Sequence, residues 1–281
     1  MKHKLKIEKM TSQGYGLGFL DGKAIFVPFA YPEEIHEIEI FQDKKDHCFA
    51  KSISLIEKIE HRREAPCPLF GECGGCQFQN VNYEYQLKLK TDILKDSLFR
   101  IGKIELELPN IIPSDTEFRY RNKGSFQVKD GNYGYCYPRT TKVFNFDDCL
   151  LLDEKIQVHL DELVKEDLLQ NMKVINVRSN LKGKIIDSRE KRASFIEEIE
   201  GLKFIIDINS FFQINKTIIP KWLEYIKSLI LQSDQFVVDL YCGIGIISQY
   251  ISSSVGEIKG IEINKRQIKQ AKECLNMNNI N

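Results

Sequence analysis

The stretch FVVDLYCGIGIIS, residues 236–248, decides the fold of the C-terminal part of the chain. A strand-like apolar run ends in a loop with two glycines, and a second apolar segment then opens a helix. Another strand-like run, EIKGIEI (257–263), comes next. The helix after it carries Ile268, Ala271 and Leu275 on one face. Strands that alternate with helices in this way predict a parallel α/β sheet.

The loop in this stretch has the chemistry of a cofactor site. Glu262 stands nineteen residues after Gly243, at the end of the next strand. An acidic side chain there can accept hydrogen bonds from both ribose hydroxyls of a nucleoside. The dinucleotide fingerprint fails because Ser248 occupies its third glycine position. The form D-L-x-C-G-x-G favours S-adenosylmethionine, which has no phosphate to bind, and a plain strand–helix turn is the alternative. Cys242 lies inside this loop and is not expected to be a nucleophile.

The composition is that of an ordinary globular protein. Of the 281 residues, 42% are hydrophobic and 28% are charged, and the formal net charge is zero. Only a local surface could therefore attract a nucleic acid. Lys6, Glu8 and Lys9 interrupt the apolar core that a signal peptide needs, and no apolar run reaches the ~18 residues of a membrane span. We expect a cytoplasmic protein without a membrane partner, with about two or three domains and reduced thiols.

Residues 1–55 predict a small β-barrel. Turn residues such as Asp21 and Gly22 separate five strand-like runs, with no helix between them. The runs are LKIEKM, GLGFL, KAIFVPFA, EIHEIEIF and CFAKSISLI.

The segment 118–208 also favours strands, and its clearest element is the hairpin FQVKDGNYGYCY. Asp130-Gly131 suits a type I′ turn, which needs positive φ at both central positions. The resulting register places two pairs on one face, Val128 with Tyr133 and Phe126 with Tyr135. Apolar spacing predicts helices over 83–101, 153–170 and 216–232.

Three thiols fall within ten positions in CPLFGECGGC, residues 67–76. Cys67, Cys73 and Cys76 lack one ligand for tetrahedral zinc or for a four-thiolate iron–sulfur cluster. The sequence has no second C-x2-C or H-x3–5-H, and the glycine pair lets backbone N–H groups turn toward cluster sulfides. Both points favour iron–sulfur, while zinc and coincidental spacing are the alternatives. Cys149 could be the fourth ligand if the 118–208 segment folds onto this loop.

The segment from Arg119 to Lys142 is basic and aromatic. It holds six basic residues against one acid, Asp130: Arg119, Arg121, Lys123, Lys129, Arg139 and Lys142. Tyr120, Phe126, Tyr133, Tyr135 and Tyr137 are interleaved. Such a segment can bind phosphates and stack unpaired bases. The alternative is a solvated hairpin whose aromatic face belongs to the core.

Together these segments resemble the RNA uracil-5 methyltransferase family, in its iron–sulfur, ribosomal-RNA-type branch. GYGLGF and KAIFVPFAYPEE are similar to the TRAM domain, an RNA-binding β-barrel, and CPLFGECGGCQFQ is similar to the cluster signature. FRYRNKGSF resembles the RNA-contacting motif, while SFFQIN, DLYCGIG and GIE resemble cofactor-binding motifs. The resemblance spans essentially the whole chain.

The resemblance implies a set of functional residues. S-adenosylmethionine would be bound by Gln213, Tyr241, Gly243, Gly245 and Glu262. A 4Fe–4S cluster would be held by Cys67, Cys73, Cys76 and Cys149. RNA would be contacted by Arg119, Arg121 and Lys123. Ile246 stands where some members carry Asn or Thr, so that a polar contact to the cofactor is missing.

The implied reaction is methylation of uridine C5 in a structured rRNA or tRNA loop, with 23S rRNA the expected substrate and a monomer the expected state. It needs a cysteine that adds to uracil C6 and a base that removes the C5 proton. The S-C-N-P-like and D-P-P-R-like motifs do not occur in the sequence. We therefore expect a C-terminally truncated chain that is inactive alone, with the nucleophilic cysteine and the base beyond Asn281. A non-catalytic iron–sulfur RNA-binding protein and a zinc-bound adaptor are the alternatives.

The predicted architecture has three parts. A TRAM-like, OB-like β-barrel covers 1–57, and an α+β iron–sulfur and RNA-binding domain covers 58–208. The start of a Rossmann-like α/β methyltransferase domain, which binds S-adenosylmethionine, covers 209–281.

Overall fold

The computed structural model describes residues 2–138, 140–231 and 236–280. The chain divides into two compact units: unit 1 is Met1–Pro113 with Cys136–Thr141, and unit 2 is Ser114–Tyr135 with Lys142–Asn281. Arg139 of the basic segment and residue 232 of the third predicted helix lie outside the described residues. The three-part division of the chain stays a prediction.

Unit 1 contains a six-stranded sheet in the order β1-β5-β6-β4-β3-β2. Its strands are β1 (Lys2–Lys6), β2 (Lys9–Met10), β3 (Tyr15–Leu20), β4 (Lys23–Pro28), β5 (Ile35–Asp43) and β6 (His47–Glu57). The pairing of β4 with β6 is parallel, and the other neighbours in this sheet are antiparallel. The predicted first run thus divides into two short strands.

The sheet curls because its two edge strands are joined by two residues. β1 and β2 lie at opposite edges, and only Ile7 and Glu8 separate them. The Glu8 N–H donates to the Leu17 carbonyl of β3 at 2.8 Å. Gly18 permits this approach, since a Cβ there would lie 2.3 Å from the Lys6 carbonyl oxygen. The N-terminal strands thus form a curled sheet, with Ile7 fully buried inside it, and the complete barrel stays a prediction.

A buried ion pair fixes the chain after β6 onto this sheet. The Glu34 carboxylate is inaccessible to solvent and accepts hydrogen bonds from Arg62 Nε at 2.6 Å and from the Tyr31 N–H at 2.9 Å. Arg62 also donates to the Phe29 carbonyl at 2.7 Å, and its guanidinium lies over the Tyr31 ring. Burial by itself would raise the pKa of Glu34, but the hydrogen bonds from Arg62 and His36 outweigh it and lower that pKa to about 2.

One helix follows in unit 1. α1 (Tyr83–Ser97) begins at Asn82, whose side chain accepts the Tyr85 N–H, and a π-helical turn, Leu98–Gly102, extends it. The helix predicted over 83–101 is thereby confirmed. Tyr85 and Leu89 are buried against the sheet residue Met10 and form a second core.

Unit 2 contains a five-stranded sheet in the order β11-β10-β7-β8-β9. Its strands are β7 (Lys123–Lys129), β8 (Asn132–Cys136), β9 (Val143–Asn145), β10 (Val174–Ser179) and β11 (Ile185–Asp187). Asp130 and Gly131 have φ of 53° and 76°, and Val128 pairs with Tyr133, so the predicted hairpin turn and register are confirmed. α2 (Glu154–Lys165) buries Ile156, Leu160 and Leu163.

The rest of unit 2 combines a hairpin with one strand–helix–strand unit. Its elements are β12 (Ser194–Ile199), β13 (Leu202–Asp207), α3 (Ile219–Ser228), β14 (Phe236–Leu240), α4 (Ile246–Ile251), β15 (Glu257–Ile261) and α5 (Lys265–Met277). β14 and β15 pair in parallel, as predicted. Phe204, Leu223, Ile244 and Cys274 share one core, which joins the hairpin to the three helices. The larger Rossmann-like domain stays a prediction.

Among the helices of residues 2–138, 140–231 and 236–280, none has both the length and the apolar character that a membrane span requires.

We predict that Glu34→Gln lowers the free energy of unfolding by about 3 kcal/mol at pH 7, because it leaves the Arg62 side chain, which is only 16% exposed, without its counter-charge. Folding lowers the pKa of Glu34 to about 2. The stabilisation that the Glu34 carboxylate provides is therefore complete above the ordinary glutamate pKa of ~4.3 and declines as the pH falls toward 2. The difference from wild type should shrink over that interval. Urea unfolding followed by circular dichroism measures it.

The matched control is Glu39→Gln, because Glu39 forms an exposed ion pair with Lys51 and exposed pairs contribute little. A loss in Glu34→Gln no greater than the loss in this control would contradict the assignment of Glu34 as the residue that fixes the segment after β6.

Candidate functional site

The loop between β14 and α4 has an unusual backbone. Three of its five residues have left-handed conformations, with φ of 62° at Tyr241, 58° at Gly243 and 78° at Gly245. Glycine adopts such angles freely, whereas a tyrosine is strained there by roughly 1–3 kcal/mol. The Tyr241 side chain is 87% exposed, so burial of its ring does not offset this strain. Strained, exposed residues of this kind cluster at binding sites.

The Glu262 carboxylate lies at the same edge as this loop. Glu262 directly follows β15, and its Oε2 accepts the Gly243 N–H at 3.0 Å, while Oε1 accepts the Asn264 N–H at 2.8 Å. Both contacts result from the parallel pairing, which brings the carboxyl ends of β14 and β15 together. Each carboxylate oxygen has two lone pairs, so both can accept a further hydrogen bond. The arrangement can bind a pair of neighbouring hydroxyl groups.

Ser248, which replaces the third glycine of the dinucleotide fingerprint, ties α4 to the strand before it. Its hydroxyl donates to Asp239 Oδ2 at 2.5 Å. Asp239 was not among the predicted site residues. The sequence does carry a signal for this hydrogen bond, because an acid inside the apolar strand FVVDL needs a polar partner.

Gln213 lies on the segment that follows β13. Its carbonyl accepts a hydrogen bond from Asn122 Nδ2 at 3.1 Å, and the Asn122 N–H donates to the next carbonyl, that of Ile214, at 2.9 Å. Within the described ranges, the Gln213 side-chain amide forms no hydrogen bond with the protein. Its backbone is thus fixed while its amide group is available to a ligand.

Cys242 has the environment of a protonated thiol. Burial, and then the nearby carboxylates of Asp239 and Glu262, raise its pKa above the ordinary value. The sulfur packs so closely on β15 that a Cβ at Gly260 would lie 2.8 Å from it. The thiolate is the nucleophilic form of cysteine, so this environment disfavours a nucleophilic role, and the absence of such a role at Cys242 stays a prediction.

Two of the three clustered thiols, those of Cys73 and Cys76, accept amide hydrogen bonds in unit 1. Gln79 Nε2 donates to Cys76 Sγ at 3.1 Å, and Gln79 Oε1 accepts the Cys67 N–H at 3.2 Å. The Gly75 N–H donates to Cys73 Sγ at 3.4 Å. A cavity of about 290 Å³ borders Cys73 and Cys76. In the described part of the chain, no three His, Cys, Asp or Glu side chains come close enough together to hold a metal ion, so the ligand role of the thiols stays a prediction.

Arg119 is engaged within unit 2. It donates two hydrogen bonds to the Asp148 carboxylate, at 2.7 and 2.6 Å, and a third to the Cys149 carbonyl at 3.1 Å. This fork fixes the loop that carries Cys149, the predicted fourth ligand. The paired guanidinium has less capacity for a phosphate than the sequence suggests, and its contact with RNA stays a prediction.

Lys123 is the first residue of β7, and Arg121 lies two residues before it. Arg121 Nε donates to the Lys123 carbonyl at 3.0 Å. Lys123 is half-buried, and burial followed by the charge of Arg178 lowers its pKa. The RNA contacts of both residues stay predictions.

The aromatic residues of the hairpin belong mainly to the core. Phe126 and Tyr133 are buried, and the Phe126 ring packs against Tyr133, Tyr135 and Phe146. A buried ring cannot stack on an RNA base. For Phe126 and Tyr133, the alternative of an aromatic core face is therefore correct.

Comparison with known proteins gives the family. Residues 150–281 match the family model described as tRNA (Uracil-5-)-methyltransferase. A protein of Aquifex aeolicus named "Uncharacterized RNA methyltransferase" is 32% identical, across 98% of this chain and 75% of its own length. The chain belongs to the RNA uracil-5 methyltransferase family. A relative from Clostridium tetani with the same name is 28% identical, across 99% of this chain and 75% of its own length.

A solved structure shares the fold. The crystal structure of Pyrococcus abyssi tRNA (uracil-54, C5)-methyltransferase in complex with S-adenosyl-L-homocysteine matches with a TM-score of 0.71 and 20% sequence identity. The match covers 99% of this chain and 77% of that one. The fold of this RNA methyltransferase is therefore that of a known methyltransferase.

Proposed function

We propose that this chain binds S-adenosylmethionine for the methylation of uridine C5 in RNA. The observation that carries the proposal is the Glu262 carboxylate, which reaches across the ends of two parallel strands to the Gly243 N–H. When bound, the cofactor would supply an electrophilic methyl group on sulfur. The role of Glu262 and of the loop at 241–245 is to hold and orient the nucleoside part.

The residues at this edge fit such a cofactor. Gly243 and Gly245 leave the loop backbone uncovered, so that an adenosine can approach it closely. Ser248 in place of the third glycine of the dinucleotide fingerprint favours a nucleoside without a phosphate over a dinucleotide. Gln213 and Tyr241 would complete the site, with an amide not used by the protein and an exposed ring.

We propose that the nucleophile of the reaction is not Cys242. A thiol that adds to uracil C6 must be a thiolate, and the environment of Cys242 opposes ionisation. Two more of the described cysteines, Cys48 and Cys274, are buried and also have raised pKa values. These three thiols therefore have structural roles in this proposal.

RNA is the proposed substrate, with ribosomal RNA favoured by the resemblance of the thiol loop and FRYRNKGSF to the rRNA-type branch. The Pyrococcus abyssi protein is named for uracil 54 of tRNA. In this proposal the curled sheet of unit 1 is TRAM-like and contributes to RNA binding. Binding of tRNA and of 23S rRNA fragments by this chain, compared at one salt concentration, separates the two substrates.

We predict that the chain binds S-adenosylmethionine and that Glu262→Ala weakens binding about tenfold or more. The substitution removes charge-assisted hydrogen bonds worth roughly 1.5–3 kcal/mol and also releases the Gly243 N–H. Isothermal titration calorimetry measures both dissociation constants. Glu257→Ala is the matched control, because Glu257 lies at the exposed opposite end of the same strand and should leave the affinity unchanged. Equal affinities for wild type and Glu262→Ala would contradict the proposed site.

We also propose an iron–sulfur cluster bound by Cys67, Cys73, Cys76 and Cys149. Their spacing supports it, as do the amide donors from Gln79 and Gly75 to two of the sulfurs, since such donors stabilise metal-bound thiolates. Cysteine thiolates are the ligands that such a cluster takes. In this proposal the cluster has no part in the methyl transfer. In this proposal the fork from Arg119 to Asp148 orients Cys149.

We predict that the anaerobically purified chain contains about four iron and four acid-labile sulfide atoms per molecule, and that Cys76→Ser loses most of both. Cys136→Ser is the control, because Cys136 lies on β8 and outside the proposed ligand set, and it should retain them. Zinc in place of iron, or equal iron content in both variants, would contradict the cluster.

A further inference from the structure

Arg178 is a buried charged residue that the proposed function leaves without a role. It lies on β10, and 1% of its surface is exposed. Its guanidinium donates to the Asp207 carbonyl at 3.2 Å and to the Ser210 carbonyl at 3.0 Å. It also lies over the Phe212 ring. All three contacts fall on residues 207–212, from the last residue of β13 to the residue before Gln213.

Asp207 fixes the same segment from the opposite direction. Its Oδ1 accepts the N–H groups of Asn209 and Ser210, each at 2.8 Å. Its Oδ2 accepts Gln270 Nε2 at 2.9 Å and Arg266 at 3.0 Å, both on α5. α5 begins directly after the loop that carries Glu262. Asp207 thereby connects the segment before Gln213 with the helix after Glu262.

The position of Arg178 is costly. Its partner across the β7–β10 pair is Lys123, and like charges at paired positions are destabilising. Arg178 Nε has no hydrogen-bond partner in the described structure, and an unsatisfied buried donor carries a further cost. Burial lowers the pKa of Arg178 only to about 10, so the guanidinium is charged at neutral pH. An apolar side chain would fill this site without these costs, but it could not bind two carbonyl groups at once.

We infer that Arg178 is a positioning residue, which sets Gln213 against the cofactor by clamping residues 207–212. Asn122 completes the clamp through its hydrogen bonds to the carbonyls of Gln213 and Ile214. The inference rests on the proposed function, because Gln213 acts on S-adenosylmethionine there. Arg178 itself does not contact the cofactor.

A double-mutant cycle on S-adenosylmethionine affinity tests this role. Arg178→Lys keeps the charge but cannot bind two carbonyls in a fork, and we expect it to weaken binding about fivefold to tenfold. If Arg178 acts through Gln213, the double variant Arg178→Lys/Gln213→Ala should bind no more weakly than Gln213→Ala alone. Losses that multiply in the double variant would overturn the inference. Arg192→Lys, an exposed arginine, is the control and should bind as wild type does.

Hydrogen–deuterium exchange provides a readout that does not depend on the cofactor. We expect Arg178→Lys to raise the exchange of amides in 208–214 about tenfold, while exchange in β12 stays as in wild type. Unchanged exchange in 208–214 would overturn the clamp. If wild type does not bind S-adenosylmethionine, the proposed function fails, and the exchange measurement then decides the clamp separately.

Discussion

The hydrogen bond between the Gly243 N–H and the Glu262 carboxylate is the contact on which the candidate site depends. It exists because β14 and β15 run in parallel and end at one edge, which brings together two residues nineteen positions apart. The left-handed conformations at Gly243 and Gly245 turn the loop so that this N–H points at the carboxylate. Without the contact, the loop and the acid would be separate surface features, and the edge would have no reason to select a nucleoside.

Other parts of unit 2 fix the elements that form this edge. Phe204 on the β12–β13 hairpin, Leu223 on α3 and Cys274 on α5 form one core, which fixes the two helices and the hairpin relative to each other. The segment with Gln213 leaves this hairpin and is held by buried polar side chains, by Arg178 and Asp207 near its start and by Asn122 at Gln213 and Ile214. Hydrogen bonds between buried polar groups restrict the segments that they join to a particular arrangement, which is what a site built from three separate segments requires.

Local chemistry could be predicted from the sequence with good accuracy. The turn at Asp130-Gly131, the parallel strands around the glycine loop, and the juxtaposition of Gly243 with Glu262 all depend on short-range rules. The contacts that the sequence did not reveal join distant residues. Arg119 donates a hydrogen bond to Asp148, 29 positions away, and Gln270 donates one to Asp207, 63 positions away. Whether the ring of Phe126 faces RNA or the core also depends on what covers the sheet, and periodicity cannot tell the two faces apart.

The central claim is that Glu262 accepts the ribose hydroxyls of the cofactor. Calorimetric binding of S-adenosylhomocysteine, compared with its 2′-deoxy analogue on the unmodified chain, tests this most directly. A carboxylate that a bound ligand covers without supplying a donor to it costs roughly 1–3 kcal/mol, so the account predicts that the deoxy compound binds about tenfold more weakly. Equal affinities for the two compounds would contradict it.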